Sequence, residues 1–232
     1  MTLLGKLEFS TRLIDAMFKV YGFSKVNSIA YGHTRDLRVL WALEEVGLPY
    51  SIVGMDHPAG ELNTSSYRQC SPFEQVPALD DDGLILSESA AIVLYLSRKS
   101  GKLMPSDSEG EAQVLRWCFA AMNTVELPLM ALVINDWNSD DRGSKHRKFL
   151  LSWIERALGN LAKWMEGRNY IATDEFTAAD LLMANVLSAS VSDESLITPY
   201  PELMSYRSRC LGRPAWNRVI DAYRTRVVVS KP

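Results

Sequence analysis

The chain has 232 residues, of which 47% are hydrophobic and 23% charged, and its formal net charge is -3 at pH 7. This length and apolar content allow one large core or two smaller ones. The charge balance excludes a basic field for nucleic acid, and the longest charge-free run, 181–192, is shorter than the roughly 20 apolar residues of a membrane span. The three cysteines are widely spaced and form no metal-like cluster with the three histidines, which predicts no metal site and a reducing, cytoplasmic location.

The first 25 residues carry apolar positions at helical spacing and more basic than acidic side chains. They predict a helical N-terminal extension over residues 1–25. They lack the long apolar core of a secretory signal.

From Val26 onward the pattern predicts alternating strands and helices. A short apolar strand is predicted at 27–31, a helix over 36–46 and a second strand at 49–53. Gly47 stands where the C-cap of that helix belongs. The loop-rich stretch 55–71 has room for one short helix.

The stretch Gln75–Ala91 contains several structural signals in a short run. A strand begins at Val76-Pro77, turns tightly at Asp82-Gly83 and continues as a second strand at 84–86. A long apolar helix then opens at Ser87-Glu88-Ser89. Both the strand start and the helix start present unpaired backbone groups, which suits them to hold a peptide-like ligand.

The second half of the chain shows helical patterns and no convincing strand. A linker at 101–109, rich in Gly, Pro and Ser, predicts a boundary between an α/β domain at 26–103 and an all-α domain at 110–228. Thr177 and Asp180 have the spacing of a capping box. The predicted helices are 111–136, 145–166, 177–190 and 216–226.

Together these features resemble the cytosolic glutathione transferase family over roughly residues 27–225, most closely its hydroxyl-type bacterial, fungal or plant members. The resemblance rests on the order and spacing of the segments Thr34–Trp41, Glu44–Tyr50, Ser71–Leu79, Ser87–Ile92, Phe176–Asp180 and Arg213–Trp216. It implies a thioredoxin-like N-terminal domain and an all-α C-terminal domain. It also implies a homodimer, with glutathione as co-substrate and no metal.

The resemblance assigns the glutathione-binding residues. Val76-Pro77 resembles a cis-proline site at which the backbone of Val76 pairs with the cysteinyl part of glutathione, as an added strand would. Ser89 is expected to contact the γ-glutamyl carboxylate and Glu88 its ammonium, although a cap on the helix explains the same residues. Gln75 is expected to contact the glycine end or the backbone of glutathione.

Thr34 is the candidate for activating the thiol, because it lies where hydroxyl-type members carry Ser. A free thiol with a pKa of about 8.5 is mostly protonated at neutral pH, so a hydroxyl that donates to the thiolate raises the reactive fraction. A helix-capping role for Thr34 stays open. Tyr31 and His33 are the alternatives for the same task.

The second substrate is expected to be a small apolar electrophile held by the helix that carries Trp117, Phe119, Met122 and Met130, although core packing explains their spacing equally. Pro128 is expected to kink that helix. Phe73 is expected either to anchor a dimer or to lie in the core.

The predicted function is glutathione conjugation to such electrophiles, with reduction of organic hydroperoxides as a related activity. The alternatives are a non-catalytic scaffold with the same fold and a carrier of hydrophobic ligands.

Overall fold

The computed structural model describes residues 17–189 and 193–230. The described residues divide into two compact units, the first formed by residues 17–31, 35–96 and 219–230 and the second by 32–34, 97–189 and 193–218. The division differs from the predicted domains because the chain passes to the second unit at Ser97, before the predicted linker, and returns to the first at Val219.

The first strand, β1, covers Phe18–Asn27, so the helix predicted over residues 18–25 is wrong. Phe18, Val20 and Gly22 are buried alternately along it, which is the two-residue period of a strand. The apolar residues around Met17 also fit a helical period, and this competing pattern misled the prediction. The remainder of the predicted helix, 1–16, lies outside the described residues.

The strand predicted at 27–31 is also wrong, because a 3-10 turn, Ser28–Ala30, follows directly after β1. The segment 28–35 is therefore a connection between β1 and the first α-helix. This connection carries the candidates for thiol activation.

The sheet is built around β1. Parallel to it lies β2 (Tyr50–Asp56), and on its other side β3 (Ala78–Asp81) runs antiparallel to β1 and to β4 (Leu84–Ser87). A short fifth strand, β5 (Val228–Ser230), pairs in parallel with Lys25–Asn27 at the far end of β1. Three residues are too few to produce a readable alternation, which explains why the sequence predicts no strand there.

Three α-helices begin in the first unit. Helix α1 has the predicted bounds, Asp36–Val46, and ends at Gly47, whose φ of 74° is the left-handed conformation of a helix C-cap. Helix α2 covers Ser65–Cys70 and α3 covers Ser89–Ser100.

Further helices follow along the chain, and α8 is the one that the sequence does not predict. The bounds of these helices are α4 (Ser108–Phe119), α5 (Glu126–Asn138), α6 (Lys145–Met165), α7 (Ala178–Ala189), α8 (Pro201–Leu211) and α9 (Pro214–Arg226).

Helices α4 and α5 are joined by a π-helical segment, Ala120–Val125, into one continuous helix. Pro128 follows this segment; it has no N–H for the carbonyl of Thr124, and its ring displaces that carbonyl, which favours a widened turn.

By length and composition alone the helix Ser108–Asn138 is apolar enough to cross a membrane, a test that core helices of soluble proteins also pass. Its buried residues Val114, Leu129 and Leu132 belong to the hydrophobic core.

The capping box at Thr177 is confirmed in one half: Asp180 accepts the Thr177 N–H, while the Asp180 N–H donates to the Thr177 carbonyl rather than to its hydroxyl. One carboxylate oxygen of Asp180 accepts from the Thr177 N–H at 2.9 Å and from the Thr177 hydroxyl at 3.0 Å. The other accepts from the Ile171 N–H at 2.7 Å and from the Tyr206 hydroxyl at 3.0 Å. Burial raises the pKa of Asp180, and these hydrogen bonds oppose the rise. Asp180 therefore joins the start of α7 to the preceding loop and to α8.

Candidate functional site

One end of the β3–β4 hairpin brings together the two segments that are predicted to hold glutathione. Ala78 pairs with Ser87 across the hairpin. Pro77 enters β3 at the same end at which Glu88 leaves β4. The register of two strands therefore places the candidates at 75–77 beside those at 88 and 89.

The Val76-Pro77 peptide bond is cis, as the resemblance implies. Val76 is buried, and within residues 17–189 and 193–230 neither its N–H nor its carbonyl has a hydrogen-bond partner. A buried, unpaired backbone pair just before the start of β3 is suited to pair with an extended ligand.

The loop before Val76 has a sharply bent backbone. Glu74 adopts a φ of 56° in the left-handed region, and its carboxylate is paired with Arg68. This ion pair holds a conformation that glycine would adopt without steric cost. The side chain of Gln75 is exposed at the end of this bend.

Glu88 and Ser89 form the start of α3. The carbonyl of Glu88 accepts the N–H of Ile92 at 3.0 Å, which makes Glu88 the residue that precedes the helix, and its φ is 69°. Ser89 is buried at the first helical position. Unpaired N–H groups and the positive end of the helix dipole favour an anion there.

Arg38 is a residue of this site that the sequence analysis left without a role. It is buried in α1, and its guanidinium donates to the Ser89 hydroxyl oxygen at 3.3 Å. Because arginine has no acceptor, the Ser89 oxygen must accept here and its own proton is left to donate elsewhere. An arginine inside an otherwise apolar helix face was the signal available in the sequence.

Asp36 fixes the start of α1 against β1. Its buried carboxylate accepts from the Phe23 N–H at 3.1 Å and lies 3.8 Å from the guanidinium of Arg226. Gly22 leaves room for this contact, since a Cβ there would lie 3.0 Å from the carboxylate. The beginning of α1, two residues after Thr34, is thus held to the strand by a charge-assisted hydrogen bond.

The three candidates for thiol activation have different surroundings. Thr34 is buried, with 6% of its surface exposed, and the N-cap of α1 is Arg35 rather than Thr34. His33 is exposed. Tyr31 is half-buried, with its ring 5.4 Å from that of Tyr223. Of the three, Thr34 is the one that is buried and lies two residues before the start of α1.

The candidates for the second substrate separate into core and surface residues. Trp117 is buried against Trp164, with ring centroids 5.1 Å apart, so it has a packing role. Phe119 is exposed, and Met122 and Met130 are half-buried. These three remain available to an apolar ligand.

The two cysteines that lie in the core, Cys118 and Cys210, do not provide a reactive thiolate at neutral pH. Burial raises the pKa of Cys118 and of Cys210 to about 12 in each case. Cys70 is half-buried. Among the described residues, no group of three or more His, Cys, Asp and Glu side chains is arranged to hold a metal ion.

Comparison with known proteins gives matches over most of the chain. Residues 29–98 match the glutathione S-transferase N-terminal domain, and residues 128–214 match the glutathione S-transferase C-terminal domain. The first match begins after β1.

Two similar proteins are also named glutathione S-transferases. The chain is 28% identical over 222 residues to glutathione S-transferase 1 of Triticum aestivum, covering 87% of this chain and 92% of that protein. It is 27% identical over 203 residues to a glutathione S-transferase of Hyoscyamus muticus, covering 80% and 92%.

A solved structure supports the fold. A glutathione transferase family member from Pseudomonas fluorescens, crystallised with two glutathione molecules, superposes with a TM-score of 0.77 at 24% identity and covers 88% of this chain and 92% of that one. The predicted architecture, a thioredoxin-like domain followed by an all-α domain, is confirmed. The chain belongs to the glutathione S-transferase family of enzymes.

Proposed function

We propose that this protein conjugates the thiolate of glutathione to small apolar electrophiles. The observation that carries the proposal is the end of the β3–β4 hairpin, where the unpaired backbone of Val76 lies beside the α3 start with Ser89 and Arg38. A backbone edge and an anion-binding helix start are the two features that a tripeptide with a γ-glutamyl carboxylate requires.

Each candidate has a distinct task in binding. The N–H and carbonyl of Val76 pair with the cysteinyl backbone of glutathione. The Ser89 hydroxyl and the N–H groups at the start of α3 bind the γ-glutamyl carboxylate, and the Glu88 carboxylate binds the adjacent ammonium. Gln75 contacts the glycine end from its exposed position.

Thr34 is assigned the chemical step. Its hydroxyl donates a hydrogen bond to the glutathione sulfur, which stabilises the thiolate. The sulfur then forms a bond to the electrophilic carbon, and with an aryl halide the halide leaves with its electron pair. With an organic hydroperoxide, the thiolate takes the terminal oxygen and an alcohol leaves; a second glutathione reduces the sulfenic acid to the disulfide, releasing water.

Thr34→Ala is expected to lower kcat for a model aryl halide about 10- to 100-fold, because a hydrogen bond to a charged group contributes about 1.5–3 kcal/mol. Thr34→Ser should retain most of the activity. His33→Ala tests the rival candidate, since it removes the adjacent exposed side chain, and it should keep the wild-type kcat if Thr34 holds the role. Undiminished turnover by Thr34→Ala would remove Thr34 from this role.

Calorimetric titration of the wild-type protein with glutathione separates the competing functions. Saturable binding with turnover of the aryl halide supports the transferase. The absence of saturable binding favours the scaffold, and binding without consumption of any electrophile or hydroperoxide favours the carrier of hydrophobic ligands.

The protein is further proposed to be a homodimer. Phe73 is 74% exposed, which removes the alternative that it lies in the core, and a phenyl ring on the surface suits a partner pocket. Phe73→Ser is expected to shift the sedimentation coefficient from dimer to monomer. Ile29→Ser, at another exposed apolar residue, is the control. A Phe73→Ser protein that sediments as the wild-type dimer would contradict the assignment.

A cytoplasmic location is proposed from the chemistry of the cysteines, all of which are free thiols in the described residues. Cell fractionation tests this location, and recovery of the protein with membranes or in the medium would contradict it.

A further inference from the structure

We propose that Tyr67 is a positioning residue for glutathione, acting through the peptide unit that joins Gln75 to Val76. The inference rests on the proposed function and adds a residue outside the binding set. Tyr67 lies in α2, is buried, and donates from its hydroxyl to the carbonyl oxygen of Gln75 at 2.9 Å.

The carbonyl of Gln75 and the N–H of Val76 belong to one planar peptide unit. Because this unit is trans, the two groups point in opposite directions, so fixing the carbonyl also fixes the direction of the N–H. The Val76 N–H has no partner within residues 17–189 and 193–230, and it is the group assigned to the cysteinyl backbone of glutathione. Tyr67 therefore sets the orientation of a ligand-binding donor that it does not touch.

The same hydrogen bond strengthens that donor. A peptide carbonyl that accepts a hydrogen bond is polarised, and its own N–H then donates more strongly, by roughly 10–30% per bond in a chain of hydrogen bonds. The effect is greatest where water is excluded, and Tyr67 and Val76 are both buried in one apolar cluster with Met55 and Leu62.

Tyr67 is itself held firmly. Its N–H donates to the Thr64 hydroxyl at 3.2 Å, and its ring lies 5.7 Å from that of Tyr21. Burial raises the pKa of Tyr67, so its hydroxyl keeps its proton and remains a donor throughout the neutral range. On the other side of Gln75, the N–H donates to the Ser71 hydroxyl at 3.1 Å. Both backbone groups of Gln75 are thus bonded to side chains, and those of Val76 are left for the ligand.

Tyr67→Phe tests the proposal, because it removes the hydroxyl and keeps the ring in the cluster. We expect the KM and the calorimetric Kd for glutathione to rise about 3- to 10-fold, as for the loss of one hydrogen bond, with kcat at saturating glutathione within about twofold of wild type. In the free protein, the Val76 amide resonance is expected to shift upfield in a proton–nitrogen spectrum, since the polarising bond is lost.

Tyr200→Phe is the matched control, since the Tyr200 hydroxyl also donates to a backbone carbonyl, that of Glu155, at 3.2 Å. It should change neither the KM for glutathione nor the Val76 resonance. Ser71→Ala, which frees the Gln75 N–H, is the second variant and is expected to raise the same KM if Tyr67→Phe folds too poorly to measure.

The outcomes separate this inference from the proposed function. If wild-type protein shows no saturable glutathione binding, the proposed function fails. If wild type binds and Tyr67→Phe binds equally well, with an unchanged Val76 resonance, the positioning role is refuted and the proposed function stands. A lower Tm with an unchanged KM would likewise show that Tyr67 acts on stability alone.

Discussion

Ser89→Ala is expected to raise the KM for glutathione about 10- to 100-fold, with kcat at saturating glutathione changed far less. Ser89 occupies the first position of α3, where the unpaired N–H groups of the helix start favour an anion, and the proposed function places the γ-glutamyl carboxylate there. Its oxygen accepts from the Arg38 guanidinium, so its proton is left to donate to the proposed ligand carboxylate. A hydrogen bond to a charged carboxylate contributes about 1.5–3 kcal/mol, which gives the expected factor.

Ser97→Ala is the control for this variant, because Ser97 is a buried serine later in the same helix. Steady-state kinetics at varied glutathione concentration measure the KM and kcat of both variants, and calorimetry measures their binding of glutathione. A Ser89→Ala protein with the wild-type KM would exclude Ser89 from the carboxylate site.

Arg38→Met in the wild-type and Ser89→Ala backgrounds extends the test to a double-mutant cycle. If Arg38 acts through Ser89, its effect on the glutathione Kd shrinks when Ser89 is already Ala. Additive effects would mean that the two residues act independently on the ligand.

Asp180→Ala is expected to cause the largest loss of stability, about 3–5 kcal/mol in the free energy of unfolding. The carboxylate is fully buried, and its removal leaves the Ile171 N–H, the Thr177 N–H and the Tyr206 hydroxyl without their acceptor. Leaving a buried donor without an acceptor costs more free energy than the net contribution of one hydrogen bond, because the donor then bears its full desolvation penalty. In a chain of this size the Tm should fall by about 10 °C.

Asp180→Asn should lose about half as much, since an amide keeps one acceptor oxygen. Asp107→Ala is the matched control: Asp107 caps α4 from an exposed position, accepts the Gly110 N–H at 2.8 Å, and should cost about 1 kcal/mol. Urea unfolding followed by circular dichroism measures all three. Equal losses for Asp180→Ala and Asp107→Ala would show that the Asp180 hydrogen bonds add nothing beyond an ordinary cap.

Short-range patterns in the sequence were sufficient to predict much of the fold. Helix α1 was predicted with its observed bounds, because its apolar period and Gly47 are signals within one segment. The turn at Asp82-Gly83 and the capping box at Thr177 were predicted for the same reason. The strand β1 was missed because its apolar residues fit a period of two and a helical period equally, and only its pairing with β2 and β3 decides between them.

The sequence by itself determined the family, through the order and spacing of several short segments, and the resemblance then implied the cis bond at Val76-Pro77 and the positions of the candidate ligand contacts. Only the tertiary structure decided what supports those contacts. Arg38 reaches Ser89 from 51 residues away, and the Asp36–Arg226 pair joins α1 to the last helix. Contacts of this kind depend on distances between elements, and residue order along the chain does not fix those distances.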